Sequence, residues 1–405
     1  MRREGEARVQ SSEVRKIGWL IVLLLTVITI TSQSLRGGEE WKVATLDYEW
    51  DFPRDHWARD GFKTEWWYFT GHLEAEGGEG FAYQFTFFRI GLLRERPDVQ
   101  SDWGTKDLIM GHAALSTLRH PEWESGRAGE RGRKTKSGSH RFSEVLYRAV
   151  PLLGGFGTFP DSVIAWSRAP AGTAGTWELK WNGEAFDFGA RDDGLGFSFS
   201  LTTRPVKSLI LQGPNGFSRK GAGESAASQY YSFTRLATVG TIEVDGQIHQ
   251  VKGQSWMDKE FSTHSLGSGQ VGWDWFSLQL DDGRELMLYV LRNAEGNVDT
   301  ARGTLVESDA QVSYFGRDAF EISVNDSWTS PSGDSYPSEW RIRHTDASLD
   351  LVVRPQMADQ ENRSKLIPTL RYWEGAVDVT SPEGKRVGVG FVEMTGYGSA
   401  TTPVL

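Results

Sequence analysis

Trp66-Trp67-Tyr68-Phe69, running on to Arg89, and Trp273-Asp274-Trp275-Phe276, running on to Arg292, are two versions of one stretch of sequence. Setting Trp66 on Trp273 places Tyr68 on Trp275, Phe69 on Phe276 and Leu73 on Leu280 at one constant offset. Beyond a turn four residues shorter in the second copy, Phe88-Arg89 falls on Leu291-Arg292. Strand side chains alternate between two faces, so an even deletion leaves every inward position inward. The echo predicts two copies of one domain; chance likeness between aromatic-rich strands is the bland alternative.

Around these stretches the period is two. Phe81, Tyr83, Phe85 and Phe87 share one face while Ala82, Gln84 and Thr86 take the other, after a turn at Gly77-Gly78-Glu79-Gly80. Further short strands are expected at Trp177 to Trp181, Gly196 to Thr202, Tyr230 to Leu236, Glu285 to Leu291, Leu349 to Val353, Arg371 to Val379 and Val387 to Glu393. Asp245-Gly246 and Asp282-Gly283 supply hairpin turns. Many short strands with turn signals and no convincing amphipathic helix over most of the chain predict an all-β protein of two tandem antiparallel barrels. The expected division is 1–34 signal or anchor, 35–57 linker and lead-in strand, 58–237 first barrel and 238–405 second barrel.

A chain of 405 residues exceeds one ordinary hydrophobic core, which agrees with two domains. Its 17 Trp, 21 Phe and 11 Tyr suit strands and pockets for large apolar ligands, although filling barrel cores accounts for most of them. A net charge of −10 argues against nucleic acid and anionic membrane surfaces. The only basic cluster, between Arg119 and His140, is interleaved with Glu and Gly and reads as a solvated loop. The basic N-terminus, the apolar run Ile17 to Ile30 and the small residues Ser32 and Ser34 read as an export signal, with a retained anchor as the alternative. Membrane contact is expected through that segment alone. With no Cys there is no disulfide, lipidated thiol or thiolate metal site, and a periplasmic or secreted location follows.

Gly267-Ser268-Gly269-Gln270-Val271-Gly272 fits the dinucleotide spacing, but a Trp-rich strand follows where a helix is required. The chain has no Gly-x-Ser-x-Gly elbow, which weakens a hydrolase reading. His72, His112 and His264 lack the spacing of zinc ligands. Trp256-Met257-Asp258-Lys259-Glu260-Phe261 carries more chemistry, because on a strand Trp256, Asp258 and Glu260 share a face and Lys259 takes the other. Two carboxyl groups roughly 7 Å apart in an apolar cavity keep a proton available near neutrality, and indole faces can stabilise a cation. An outward strand edge whose acids pair with Lys or Arg is the competing reading. Glu65, Asp274 and Glu374 each adjoin Trp, and Arg89 and Arg292 are their natural partners by repeated position.

At these residues the sequence resembles the lipocalin-like family that includes bacterial carotenoid hydratases (hydroxyneurosporene synthase, CrtC) and exported AttH-type proteins. Thr64 to Leu73, Gln84 to Arg89, Tyr230-Tyr231-Ser232, Gly272 to Trp275, Tyr372 to Gly375 and Glu393 to Tyr397 carry the resemblance. It implies a tandem pair of calycin-type barrels and, as in the family's characterised enzymes, acid-catalysed work on isoprenoids or polyenes. Lys259 stands where the family commonly has His, so a role carried by that His does not transfer. The expected acids are Asp258 as proton donor and Glu260 as second acid or base. The expected ligand contacts are Glu65, Trp67, Tyr68, Gln84, Arg89, Tyr230, Trp256, Lys259, Trp273, Asp274, Trp275, Glu374 and Tyr397. No metal or cofactor is expected, and the partner is an apolar small molecule. A non-catalytic carrier or accessory of an ABC-type export system is the rival from another class; a secreted hydrolase is the third.

Overall fold

The computed structural model describes residues 40–398 except 100, 119–137, 224–225, 265, 268 and 345. The expected export signal and most of the basic stretch therefore lie outside the described residues.

Period-two sequence becomes strand almost throughout. In chain order these are β1 (Thr64–Ala75), β2 (Gly80–Gly91), β3 (Asp107–Leu118), β4 (Ser139–Arg148), β5 (Gly154–Phe156), β6 (Val163–Arg168), β7 (Thr176–Trp181) and β8 (Phe186–Asp192). Next come β9 (Phe197–Pro205), β10 (Ile210–Leu211), β11 (Phe217–Arg219), β12 (Ala227–Val244) and β13 (Gln247–His264). The second set is β14 (Gln270–Leu280), β15 (Glu285–Asn293), β16 (Val298–Val306), β17 (Val312–Gly316) and β18 (Glu321–Thr329). It ends with β19 (Ser335–His344), β20 (Leu349–Pro355), β21 (Glu361–Arg363), β22 (Arg371–Thr380) and β23 (Arg386–Thr395).

They form two antiparallel sheets of 13 and 10 strands. The first runs β4-β3-β2-β1-β13-β12-β9-β8-β7-β6-β5, and its ends β4 and β5 meet to make a nearly closed barrel. The second runs β17-β16-β15-β14-β23-β22-β20-β19-β18 and forms a half-barrel. The two orders match position for position, β1 with β14, β13 with β23, β12 with β22, β9 with β20; β5 and β6 are additions to the first. Register agrees with the sequence echo, since Trp66 faces Phe88 across β1 and β2 as Trp273 faces Leu291 across β14 and β15. The tandem duplication is thus built into topology as well as sequence.

The concave faces of both sheets are packed with large apolar side chains. Trp67, Phe69, Tyr83, Phe85, Phe87, Trp177 and Phe188 fill the first, and Phe276, Leu278, Leu288, Trp340, Trp373 and Val392 the second. Burying each such side chain stabilises by roughly 1.5–3 kcal/mol. Two expected boundaries move. Residues 237–240 lie inside β12, where a register shift between Phe233 and Leu236 bends the strand without ending it. Because β13 pairs with both β12 and β1, the change of sheet falls between His264 and Gln270. The expected linker is instead a cover: Trp57 is buried in the first core, and Trp50 meets Tyr231 edge-on at 5.6 Å.

Candidate functional site

The cavity lies between the sheets, outside both barrel cores. On β1, Trp67 and Phe69 point into the barrel, so Trp66 and Tyr68 point out, and the second sheet covers that outer face. Register sets Ser232, Asp258, Tyr68, Thr86 and His112 in one transverse row across β12, β13, β1, β2 and β3. The second sheet carries the equivalent row, Glu374, Glu393, Trp275 and Tyr289, across β22, β23, β14 and β15. In the repeat, Glu393 holds the place of Asp258 and Trp275 that of Tyr68. The rows meet across the seam: Tyr68 Oη donates to Glu374 Oε1, and Trp275 Nε1 donates to Tyr230 Oη at 3.2 Å. They border a cavity of about 110 Å³, walled by Trp66, Phe88, Met110, Leu266, Trp273 and Leu291 among others.

Asp258 is 3 % exposed and lines this cavity. Tyr230 Oη at 2.6 Å, Ser232 Oγ at 2.5 Å and Trp256 Nε1 at 2.7 Å all donate to it. Burial pushes its carboxyl up to about 7, against the pull of those three hydrogen bonds, which favour the charged form. Glu260, next along the same face, pairs with Lys220 at 2.9 Å. The Lys220 ammonium sits 4.4 Å from the Tyr289 ring centre and 5.1 Å from that of Tyr230.

Glu374 and Glu393 are directly opposed on β22 and β23. Lys220 is the only Lys or Arg among the described residues lining the cavity. Burial raises both carboxyls, Glu374 well above the ordinary range with Glu393 adding to the effect, and Glu393 to about 7. The site is therefore an aromatic enclosure with four carboxyl groups and one ammonium. Such groups can hold and deliver protons beside an apolar molecule.

The sequence profile of the AttH-like family matches residues 43–397. The chain belongs to the AttH-like family. A crystal structure of a putative AttH from Nitrosomonas europaea superposes with a TM-score of 0.72 at 28% identity, covering 88% of this chain and 100% of that one. Kievitone hydratase from Nectria haematococca superposes at 0.58 with 12% identity, covering 89% and 96%. A search of the curated proteins finds no match.

In this AttH-like chain the residues expected to form a site divide by strand parity. Tyr68, Gln84, Tyr230, Asp258, Glu260, Trp273, Trp275 and Glu374 line the cavity, and Trp256 stands behind Asp258. Glu65, Trp67, Arg89 and Lys259 face the first barrel's interior and reach no part of it. There Glu65 pairs with both Arg89 and Lys259, and the Lys259 ammonium lies 3.6 Å from the Trp67 ring centre. Burial brings Lys259 down to about 8 despite Glu65. Lys259 thus sits across the sheet from Asp258. Asp274 and Tyr397 likewise turn to the second interior, where Asp274 takes Arg292 at 3.2 Å and Tyr397 Oη at 2.9 Å. Glu374 was expected to find an Arg and instead meets Tyr68 and Glu393. Sequence reading missed Glu393, Lys220, His112, Tyr289 and Tyr372 as site residues. Carrying the repeat from Trp256-Met257-Asp258 to Phe391-Val392-Glu393 is the signal that finds the first of these.

Proposed function

We propose that this protein binds a mid-sized apolar molecule, isoprenoid or lipid in character, in the cavity between its two sheets and adds water to a carbon–carbon double bond. Asp258 carries the reading: a buried, hydrogen-bonded carboxyl with no cationic partner, facing aromatic walls. Asp258 gives its proton to one alkene carbon, and the faces of Trp273 and Trp275 stabilise the cation left on the other. Water forms the new C–O bond there and loses a proton to the Glu260 carboxylate; exchange with solvent resets both acids. The fold also carries a protein named as a hydratase, which agrees with this chemistry. The export-signal pattern of residues 1–34 gives the proposed place of work as the periplasm or beyond.

The test starts from the protein's own cargo. Mass spectrometry of an organic extract of the purified protein identifies a bound molecule, which is then incubated with enzyme in ¹⁸O-water. The expected product is heavier by one labelled water, and Asp258→Asn lowers its rate by about 100-fold or more while the ligand stays bound. Equal rates for the variant remove Asp258 as donor. A retained ligand that wild type never converts identifies a carrier, of the kind that serves an export system.

A further inference from the structure

Two buried polar atoms of the cavity wall have no hydrogen-bond partner, Glu374 Oε2 and His112 Nε2; a third, Glu260 Oε1, has the Lys220 ammonium. Both unpaired atoms belong to side chains beside Tyr372. His112 Nδ1 lies 2.7 Å from Tyr372 Oη, and Glu374 is two residues further along the same face of β22. Glu374 and His112 are each 2 % exposed, and both line the cavity.

Their protons can be placed from the network. Asn362 Nδ2 donates to Gln84 Oε1, so the Gln84 amide nitrogen faces Tyr372 Oη, to which it donates at 3.2 Å. The phenolic proton is then left for His112 Nδ1. Burial holds this imidazole neutral, down at about 3, so its own proton resides on Nε2. Glu374 Oε1 already accepts from Tyr68, and Glu393 is opposed to it with no cation between. Burial, with Glu393 adding to it, raises Glu374 further than Glu393 itself, so of the two acids Glu374 keeps its proton, and Oε2 is the oxygen left to carry it. Around Tyr372 the wall therefore presents an N–H and an O–H with nothing to receive them, and a buried donor left unmet is costly.

We infer that this corner is an oxygen-binding subsite, and that the ligand is an oxygenated isoprenoid-like molecule whose carbonyl or hydroxyl oxygen accepts from His112 and Glu374. This rests on the reading of the cavity as an apolar ligand site and narrows it by excluding plain hydrocarbons. Three inter-strand steps along the row separate His112 from Asp258, on the order of 14 Å at about 4.8 Å each. An oxygen held there would fix the skeleton so that one double bond meets Asp258.

Farnesol and its hydrocarbon counterpart farnesene, titrated separately into wild type with tryptophan fluorescence as readout, decide the matter. Farnesol is expected to bind at least about tenfold tighter. In His112→Phe and Glu374→Leu the two affinities converge, while Glu374→Gln, whose amide still donates, keeps the preference. Equal binding to wild type overturns the subsite and leaves the apolar cavity standing, and this comparison needs no variant to fold. A preference that survives His112→Phe also overturns it. Binding of neither probe overturns the cavity reading itself, and the subsite with it.

Discussion

Asp258 is pulled in two directions, and the balance sets when it can act. Burial raises its carboxyl; Ser232, Tyr230 and Trp256 stabilise the charged form, and burial wins at about 7. Proton donation is therefore expected to fall away as pH rises through about 7. Ser232→Ala removes one hydrogen bond to the ionised group, worth about 1.5 kcal/mol or more, so the descending limb moves up by about one pH unit. Infrared titration of the protonated carboxyl band reads the same shift without a substrate; an unmoved or lowered midpoint contradicts the assignment. Lys259, one residue away, makes the opposite case. Its ammonium serves Glu65 inside the first barrel, where burial alone would raise Glu65 and the two cations Lys259 and Arg89 hold it at about 2. Lys259→Met leaves Glu65 with Arg89 as its one ion-pair partner and is expected to cost about 3 kcal/mol in urea unfolding. Farnesol quenching stays at the wild-type level, because the side chain is on the far face of β13 from the cavity.

At the scale of the strand, alternation was readable and coverage was not. Phe81, Tyr83, Phe85 and Phe87 all face the first core, as their spacing implies, and the Trp66/Trp273 echo returns as matched strand order. Period two reveals that a strand has two faces without saying which is covered by a second sheet. For that reason Trp67 was expected to touch ligand and Trp66 was not, although Trp67 is core and Trp66 is wall. The expected 237/238 boundary falls inside the 18-residue β12 for a related reason: Ala237, Thr238 and Gly240 are as small as turn residues, yet they pair in register with β13. Glycine in β1 is legible only from coordinates. A Cβ on Gly71 would collide with Ser255 Oγ and meet Tyr83 Cε1 at 2.6 Å and the Gln254 carbonyl oxygen at 2.9 Å. Tyr83 Oη shares a hydrogen bond with Ser255 Oγ at 2.7 Å, so neither can retreat freely. Gly71→Ala is expected to destabilise by about 1–3 kcal/mol, measured as a lowered urea midpoint; an unchanged midpoint means the first barrel yields more easily than its packing implies.

Over the whole molecule, the repeat places two equivalent sheet faces against each other, the way a two-fold dimer buries one patch twice. Covering those faces keeps Asp258 out of water and Glu393 partly so, and gives stability a pH signature. Native Asp258 and Glu393 hold protons up to about 7, whereas the unfolded chain releases them near 3.8 and 4.5. Their contribution therefore declines as pH rises from about 4.5 to 7. Burial acts oppositely on His56, His72 and His112, lowered to about 3, 4 and 3, so unfolded imidazoles take protons that native ones refuse below about 6.5. Their contribution is lost as pH falls through that range, and the two sets offset each other in wild type. Replacing the acids in the double variant Asp258→Asn, Glu393→Gln removes one set alone. Relative to wild type, the variant's stability should climb more steeply between pH 5 and 6, by up to roughly 2–3 kcal/mol per pH unit for two protons. Urea midpoints at the two pH values measure the difference. Parallel slopes would mean that both carboxyls titrate as they do in water, which the closed seam between the sheets forbids.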